Sequence, residues 1–163
     1  MSRPRIRWAW CALATFLLTG QLVSGQSMKP DAHGFIAAQP EDLKSVDGGT
    51  QVVILGNPGK PGMYVVRNTF APGRIGRPHF HSQDRYITVI KGTWWVALGP
   101  GADVYDPSKM IPMKAGSFVF HPANGHHYDG AKDEEVTVEI VGMGPVTTTQ
   151  LTPAAGRGQQ GQR

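Results

Sequence analysis

Apolar residues in this chain fall in short runs and do not sustain the 3.6-residue period of an amphipathic helix. Glycine, proline and asparagine separate these runs at sites typical of turns, such as Asn57-Pro58-Gly59, Lys91-Gly92-Thr93 and Asn124-Gly125. Seven of the runs have the length and composition of β-strands: residues 51–55, 63–70, 79–81, 86–91, 93–98, 117–121 and 134–141. So many short strands within about 110 residues predict one all-β domain, a sandwich or a barrel. Residues 40–44 predict a single helical turn ahead of it.

The N-terminal segment has the pattern of a secretory signal peptide. Arg3, Arg5 and Arg7 precede an apolar run that begins at Trp8, and small and polar residues follow as far as Gly25. The stretch between these flanks covers about 16 residues, whereas a helix that spans a bilayer needs about 20. We therefore expect cleavage after Gly25, a periplasmic or secreted protein, and no membrane attachment afterwards.

These patterns divide the chain into four parts. Residues 1–25 form the predicted signal peptide, 26–50 an N-terminal segment that leads into the barrel, 51–152 the barrel, and 153–163 a tail rich in Gly, Gln and Arg that we expect to be disordered. The one cysteine, Cys11, lies in the signal peptide. The mature protein would then have neither disulfides nor thiol chemistry.

The basic character of the chain does not indicate nucleic-acid binding. There are 16 Lys and Arg residues against 12 Asp and Glu, which gives a formal charge of +4. Three of the arginines lie in the signal peptide, and Arg157 and Arg163 lie in the tail. The folded body is therefore close to neutral, and no nucleic-acid motif supports that class of partner.

Histidine carries the candidate chemistry. Five of the six histidines fall in two windows, His79 with His81 and then His121, His126 and His127. On a strand, residues two apart point to the same face, so His79 and His81 present two imidazoles side by side. Neutral imidazole is a ligand for Zn, Fe, Ni, Cu and Mn, and a third ligand from the second window would complete a facial set.

The two windows resemble the paired motifs of the cupin superfamily. Residues 73–81 match G-x5-H-x-H of the first motif, and residues 116–127 match G-x5-P followed by a histidine five positions later in the second. The resemblance covers most of residues 50–145. It implies a double-stranded β-helix, a jelly-roll barrel with a divalent metal ion (Fe, Mn, Ni or Zn) in its mouth, held by His79, His81 and His127. It also implies a homodimer and a small-molecule substrate.

The chain departs from these motifs at three positions. Arg85 stands in the glutamate slot of the first motif, Asn124 replaces the glycine of the second, and Ala131 replaces its terminal asparagine. Arginine has no lone pair to give, so Arg85 cannot ligate a cation.

Three interpretations of Arg85 remain open. In the first, three histidines hold the metal and the planar guanidinium orients an anionic ligand. In the second, Asp84 or His121 becomes an extra ligand while Arg85 points away and pairs with an acid. In the third, the barrel has lost its metal and Arg85 takes its place, since a guanidinium and a dication a few ångströms apart repel by several kcal/mol at an effective dielectric of ~20.

Two tyrosines next to the motif residues are candidate proton donors. Tyr86 follows Arg85 and Tyr128 follows His127. Either phenol could donate a proton near the site, and packing in the core is the alternative role for both. His121 is likewise open to two interpretations, a packed residue or an additional ligand.

Three functions are compatible with the sequence. The first is a metal-dependent enzyme of the oxygenase or isomerase/lyase type that acts on a small anionic organic molecule, with Arg85 as the anion clamp. The second is a non-catalytic barrel that binds a small ligand or a metal, or that is metal-free with Arg85 anchoring an anion. The third is a structural, oligomeric protein whose barrel is filled by packed side chains, which scattered histidines would favour.

Overall fold

The computed structural model describes residues 28–44 and 50–151. The predicted signal peptide and tail lie outside the described residues. The described part contains ten strands: β1 Gln51–Leu55, β2 Gly62–Phe70, β3 His79–His81, β4 Arg85–Lys91, β5 Thr93–Leu98, β6 Ile111–Lys114, β7 Phe118–His121, β8 His127–Ala131, β9 Val136–Gly144 and β10 Thr148–Gln150. Its only helical elements are two 3-10 turns, Gly99–Gly101 and Pro107–Lys109. The predicted all-β fold class is confirmed, and no helix in these ranges is long and apolar enough to cross a membrane.

The strands form two five-stranded antiparallel sheets. The first has the order β1-β2-β9-β4-β7 and the second has the order β10-β3-β8-β5-β6. Alternate side chains of each sheet point inward, because successive residues of a strand face opposite sides. The buried apolar core between the sheets consists of Val53, Tyr64, Val66, Ile87, Val89, Trp94, Val96, Val119, Ala131, Val136, Val138 and Ile140. This arrangement is the expected double-stranded β-helix.

A second apolar cluster covers the outer face of the second sheet. Ala97 and Tyr128 point outward from β5 and β8, and they pack against Ala102 and Met110 of the connection between β5 and β6. All four side chains are buried. The connection therefore lies on the sheet as a packed layer.

All seven predicted strands are present, with ends that differ by at most three residues. Three further strands were not predicted. Their sequences are Ile-Pro-Met-Lys in β6, His-Tyr-Asp-Gly-Ala in β8 and Thr-Thr-Gln in β10, and none of them is an apolar run. β6 and β10 are edge strands, which tolerate proline and polar residues because one side of the backbone is unpaired.

The predicted helical turn at residues 40–44 is wrong. The Asp42 and Lys44 amides donate to the carbonyls of Gln39 and Glu41, three residues back, at 3.0 and 3.4 Å. The Asp42 carboxylate in turn accepts a hydrogen bond from the Gln39 amide at 2.9 Å. These contacts make hydrogen-bonded turns at residues 40–44 that do not continue into a helix.

Gly92 lies at one of the connections where the chain passes from one sheet to the other. The predicted turn at Lys91-Gly92-Thr93 joins β4 of the first sheet to β5 of the second. Gly92 has a φ of 75°, and a Cβ there would lie 2.5 Å from the carbonyl oxygen of Glu135. Only glycine fits this bend, both for its positive φ and for its close approach to the neighbouring backbone.

Candidate metal centre

Three histidines from two paired strands come together inside the barrel. His79 and His81 lie on β3, His127 lies on β8, and His79 is paired in register with His127. One potential ligand atom of each lies within 4.8 Å of the others. His81 and His127 are buried and His79 is partly buried. This group could hold a metal ion.

Backbone carbonyls fix the tautomers of two of these imidazoles. The Nδ1–H of His79 donates to the carbonyl of Arg77 at 2.7 Å, and that of His127 donates to the carbonyl of Gly125 at 2.8 Å. Each Nε2 therefore carries a lone pair, the arrangement seen in metal-binding histidines. The Nε2 of His127 is buried and has no hydrogen-bond partner among the described residues. A buried polar atom of this kind fits a cation ligand better than a core residue.

The buried histidines are held in the neutral form that binds metals. Burial lowers the pKa of His81 to about 2, and the charge of Arg85 adds to the shift. Burial also lowers the pKa of His127 to about 3, although its hydrogen bond to Gly125 opposes the change. Both imidazoles are thus unprotonated at neutral pH and need not lose a proton to bind a metal.

Arg85 points into the barrel and contacts the third histidine. It lies on β4, on the same face as the buried Ile87, and its Nη1 donates a hydrogen bond to the Nε2 of His81. The Nδ1–H of His81 then donates to the hydroxyl of Thr148 at 3.0 Å. Burial lowers the pKa of Arg85, and the charge of Asp129 opposes the shift. Arg85 thus covers the lone pair that His81 would offer to a metal.

The second interpretation of Arg85 does not match this geometry. Within the described residues no carboxylate lies within 4.0 Å of its guanidinium. Asp84 is engaged elsewhere, since its carboxylate accepts the Ala123 amide at 2.7 Å. The guanidinium beside His81 is compatible with the other two interpretations, an anion clamp next to a metal or a substitute for the metal.

His121 lies next to the three histidines but outside their ligand cluster. Its ring centroid is 3.9 Å from that of His127 and 5.8 Å from that of Trp94. Both of its ring nitrogens are buried, and neither has a hydrogen-bond partner within the described ranges. Burial lowers its pKa to about 2, with a further contribution from His127. His121 therefore lines the site as a neutral imidazole, and it is not one of the three residues whose ligand atoms lie within 4.8 Å of one another.

The structure does not bring Tyr86 or Tyr128 to the histidines. Tyr86 alternates with Arg85 on β4, lies on the outer face of the barrel and packs against Phe120 with 5.3 Å between ring centroids. Tyr128 is completely buried on the opposite face of β8 from His127. Its hydroxyl donates to the carbonyl of Asp106 at 2.7 Å and accepts the Asp106 amide at 3.0 Å. These positions correct the expectation that either phenol serves as a proton donor in the site.

The departure at Asn124 preserves the local backbone. Asn124 has a φ of 61°, a left-handed conformation that asparagine tolerates better than most residues with a side chain. Its amide donates to the carbonyl of His81 at 2.7 Å. The loop that precedes His127 is thereby attached to β3, so glycine is not essential at this position.

Asp129 is a site residue that the sequence analysis missed. It follows His127 by two positions on β8 and shares its inward face, and its Oδ2 lies 3.8 Å from the Nε2 of His127. Burial raises its pKa, and the charges of His79 and Arg85 oppose the shift. The alternation of side chains along β8 would place Asp129 on the face of His127. Residues 127–131 do not have the pattern of a strand, however, because only two of the five are hydrophobic.

Two cavities reach the histidines from different sides. One of about 260 Å³ is lined by His81 and Arg85 together with Tyr64, Asn68 and Thr148. Another of about 260 Å³ is lined by His121 and His127 together with Phe120, Pro122 and His126. Each volume is close to the lower end of the ~300–1,000 Å³ usual for small-molecule sites. The site can therefore admit a small organic molecule beside Arg85.

Comparison with known proteins establishes the fold. No protein-family model and no curated protein matches the sequence. Among solved structures, the chain is similar to the polyketide cyclase RemF from Streptomyces resistomycificus, at 14% identity and a TM-score of 0.59 over 74% of this chain and 88% of that one. It is also similar to an uncharacterized conserved protein with a double-stranded β-helix domain from Klebsiella pneumoniae, at 20% identity and a TM-score of 0.55 over 72% and 97%. A cupin 2 domain-containing protein from Halorhodospira halophila matches at 17% identity and a TM-score of 0.51 over 67% and 75%. The chain has the cupin fold.

Proposed function

We propose that this cupin-fold protein binds a divalent metal ion through His79, His81 and His127 and acts on a small anionic organic molecule. The observation that carries the proposal is the cluster of three imidazoles, in which the Nε2 of His127 is buried without a hydrogen-bond partner among the described residues. A bound ion, whether Fe, Mn, Ni or Zn, would supply Lewis-acid or redox chemistry of the oxygenase or isomerase/lyase type.

The side chains around the histidines support an anionic substrate. Arg85 lines the cavity of about 260 Å³ that also borders His81. Its guanidinium is a planar fork of donors that matches a carboxylate. Val66 and Val146 form apolar parts of the same wall. Arg85 thus binds and orients the anionic end of the substrate, and an anion there would draw the guanidinium away from the Nε2 of His81.

Metal analysis of matched histidine variants tests the proposal. The purified protein should take up about one equivalent of Fe(II), Mn(II), Ni(II) or Zn(II), and His79→Ala should lose most of this uptake because it removes one of three ligands. His126→Ala is the matched control, since His126 adjoins His127 in sequence but pairs with Asp103 at 2.6 Å. A protein that takes up none of the four ions, or a His79→Ala variant that binds as well as wild type, would contradict the proposal.

A metal-free binding barrel is the second candidate. The hydrogen bond from Arg85 to His81 favours it, because it covers the lone pair of the third ligand. In that case the chelator-treated protein should bind acetate, and Arg85→Gln should abolish this binding. If acetate binds only after a metal is added, the metal-dependent function is the correct one.

The site of action and the assembly are also part of the proposal. The signal-peptide pattern at residues 1–25 supports a periplasmic or secreted protein, whose substrate would be diffusible. A homodimer is supported by the outer face of the first sheet, where Tyr86, Phe118 and Phe120 are exposed on β4 and on the edge strand β7. Exposed aromatic residues that adjoin one another on a sheet edge are typical of a protein interface.

A further inference from the structure

We infer that Asp129 supplies, on the side of His127, the carboxylate ligand that the first histidine motif lacks, so that an ion bound there has a carboxylate as well as imidazole ligands. The inference rests on the proposed binding of a divalent metal ion. Arg85 occupies the position of the motif glutamate. The carboxylate ligand would therefore come from a residue outside the motif positions. The carboxylate would thus come from the opposite sheet.

The backbone places Asp129 in the barrel interior. Asp129 is paired in register with Val96 of β5, whose side chain is completely buried in the core. It also lies two residues after His127, on the same face of β8. Only 13% of its side chain is exposed. The carboxylate therefore points toward the histidines and away from solvent.

The distance to the nearest histidine fits a shared ion. The Oδ2 of Asp129 lies 3.8 Å from the Nε2 of His127. Two ligands that each bind the same ion at about 2.0–2.2 Å are separated by at most about 4.4 Å. The two atoms are therefore close enough to bind one cation, yet too far apart for a hydrogen bond to each other.

The imidazole lacks a partner, and the carboxylate can accept more than it has. The Nε2 of His127 has no hydrogen-bond partner in residues 28–44 and 50–151. Among the described residues, Asp129 has the Trp94 side chain as a hydrogen-bond donor, whereas a carboxylate has about four acceptor sites. One cation between the two atoms would engage both. Its positive charge would also be offset by the carboxylate, which Arg85 cannot do.

Metal affinity in a matched set of carboxylate variants tests this role. We would measure the Kd for Mn(II) and Zn(II) by calorimetry, and the Co(II) absorption spectrum, on wild type, Asp129→Asn and Asp103→Asn. Asp129→Asn should weaken binding by about 100-fold or more and change the Co(II) spectrum, because it removes a ligand at nearly constant size. Asp103→Asn should stay within about 3-fold of wild type, since Asp103 pairs with His126 at the rim.

A double-mutant cycle separates this role from a simple countercharge for Arg85. If Asp129 binds the metal, Asp129→Asn should weaken affinity by a similar factor when introduced into Arg85→Gln. If the loss disappears in that background, Asp129 acts only on Arg85 and the inference is overturned. Should Asp129→Asn fail to fold, Asp129→Glu and Asp129→Gln, which differ only in charge, give the same comparison.

The outcomes also distinguish this inference from the proposed function. If wild type binds metal, His79→Ala does not, and Asp129→Asn binds as tightly as wild type, then only the inference fails. If neither wild type nor Asp103→Asn binds any metal, the proposed function fails and the inference fails with it.

Discussion

Replacing Arg85 by residues of graded charge should raise metal affinity stepwise. Arg85 donates to the Nε2 of His81, the atom through which that histidine would bind a metal. In the series Arg85, Arg85→Gln and Arg85→Glu, the side chain changes from cation to neutral to anion. The last variant restores a carboxylate at the position where the cupin motif has one. We therefore expect the Kd for Mn(II) and Zn(II) to fall in that order.

The size of each step follows from the geometry of the contact. An ion about 2.1 Å from the Nε2 of His81 and a guanidinium about 3 Å from the same nitrogen compete for one lone pair, so the two charges are at most about 5 Å apart until the side chain moves away. The repulsion between a dication and a guanidinium at that distance is about 7 kcal/mol at an effective dielectric of 20. If displacement of the side chain relieves two thirds of it, about 2 kcal/mol remains, which corresponds to about 30-fold in Kd.

Calorimetry at fixed ionic strength, without added carboxylates, measures this series directly. Thermal unfolding of each metal-free variant provides the control, since loss of Arg85 also removes the hydrogen bond to His81 and the charge that faces Asp129. Equal Kd values across three folded variants, or tightest binding in wild type, would refute the reasoning, because Arg85 would then not compete with the ion.

Three further substitutions test the packing and the assembly. Gly130→Ala should lower the Tm, because the added Cβ would lie 2.2 Å from a backbone carbonyl oxygen. Gly101→Ala is the matched control and should leave the Tm unchanged, since no atom would lie closer than 4.0 Å to the Cβ added there. Tyr128→Phe should cost about 1–3 kcal/mol in the free energy of unfolding and speed hydrogen exchange at the Asp106 amide, which loses its partner; unchanged exchange would contradict this. Phe118→Asp should convert the proposed dimer to a monomer in sedimentation, and an unaltered sedimentation coefficient would argue against the outer face as the interface.

The strands that could be predicted are those with a clear apolar pattern. β2, β4, β5 and β9 have alternating or continuous apolar residues, and their inward positions form most of the core. The pairing of β3 with β8 could not be predicted in the same way. It depends on the register of His79 with His127, which the fold as a whole imposes and which no local pattern of β3 or β8 specifies.

The histidines of the site were accessible to sequence analysis, and the charged groups between them were not. His79 and His81 stand two apart on a strand, and the second motif points to His127. That Arg85 contacts His81 and leaves Asp84 on the loop is a tertiary result, because residue spacing alone allows either orientation. The sequence motif indicates position 131 as the next site position after His127. The residue that contributes a charge is Asp129, which the strand alternation of β8 places inward.

The charges inside the barrel couple Arg85 to Asp129. Burial keeps the imidazoles of His81 and His127 neutral, so the two charge-bearing side chains that face them are one guanidinium and one carboxylate. In its ionised form the carboxylate of Asp129 balances the guanidinium across the barrel without a metal. A divalent ion would add two positive charges to this balanced interior, and a carboxylate substrate on Arg85 would compensate one of them. By thermodynamic reciprocity, an anion that tightens metal binding is itself bound more tightly by the metal-loaded protein. The substitution of arginine for the motif glutamate therefore favours a site in which metal and anion bind together.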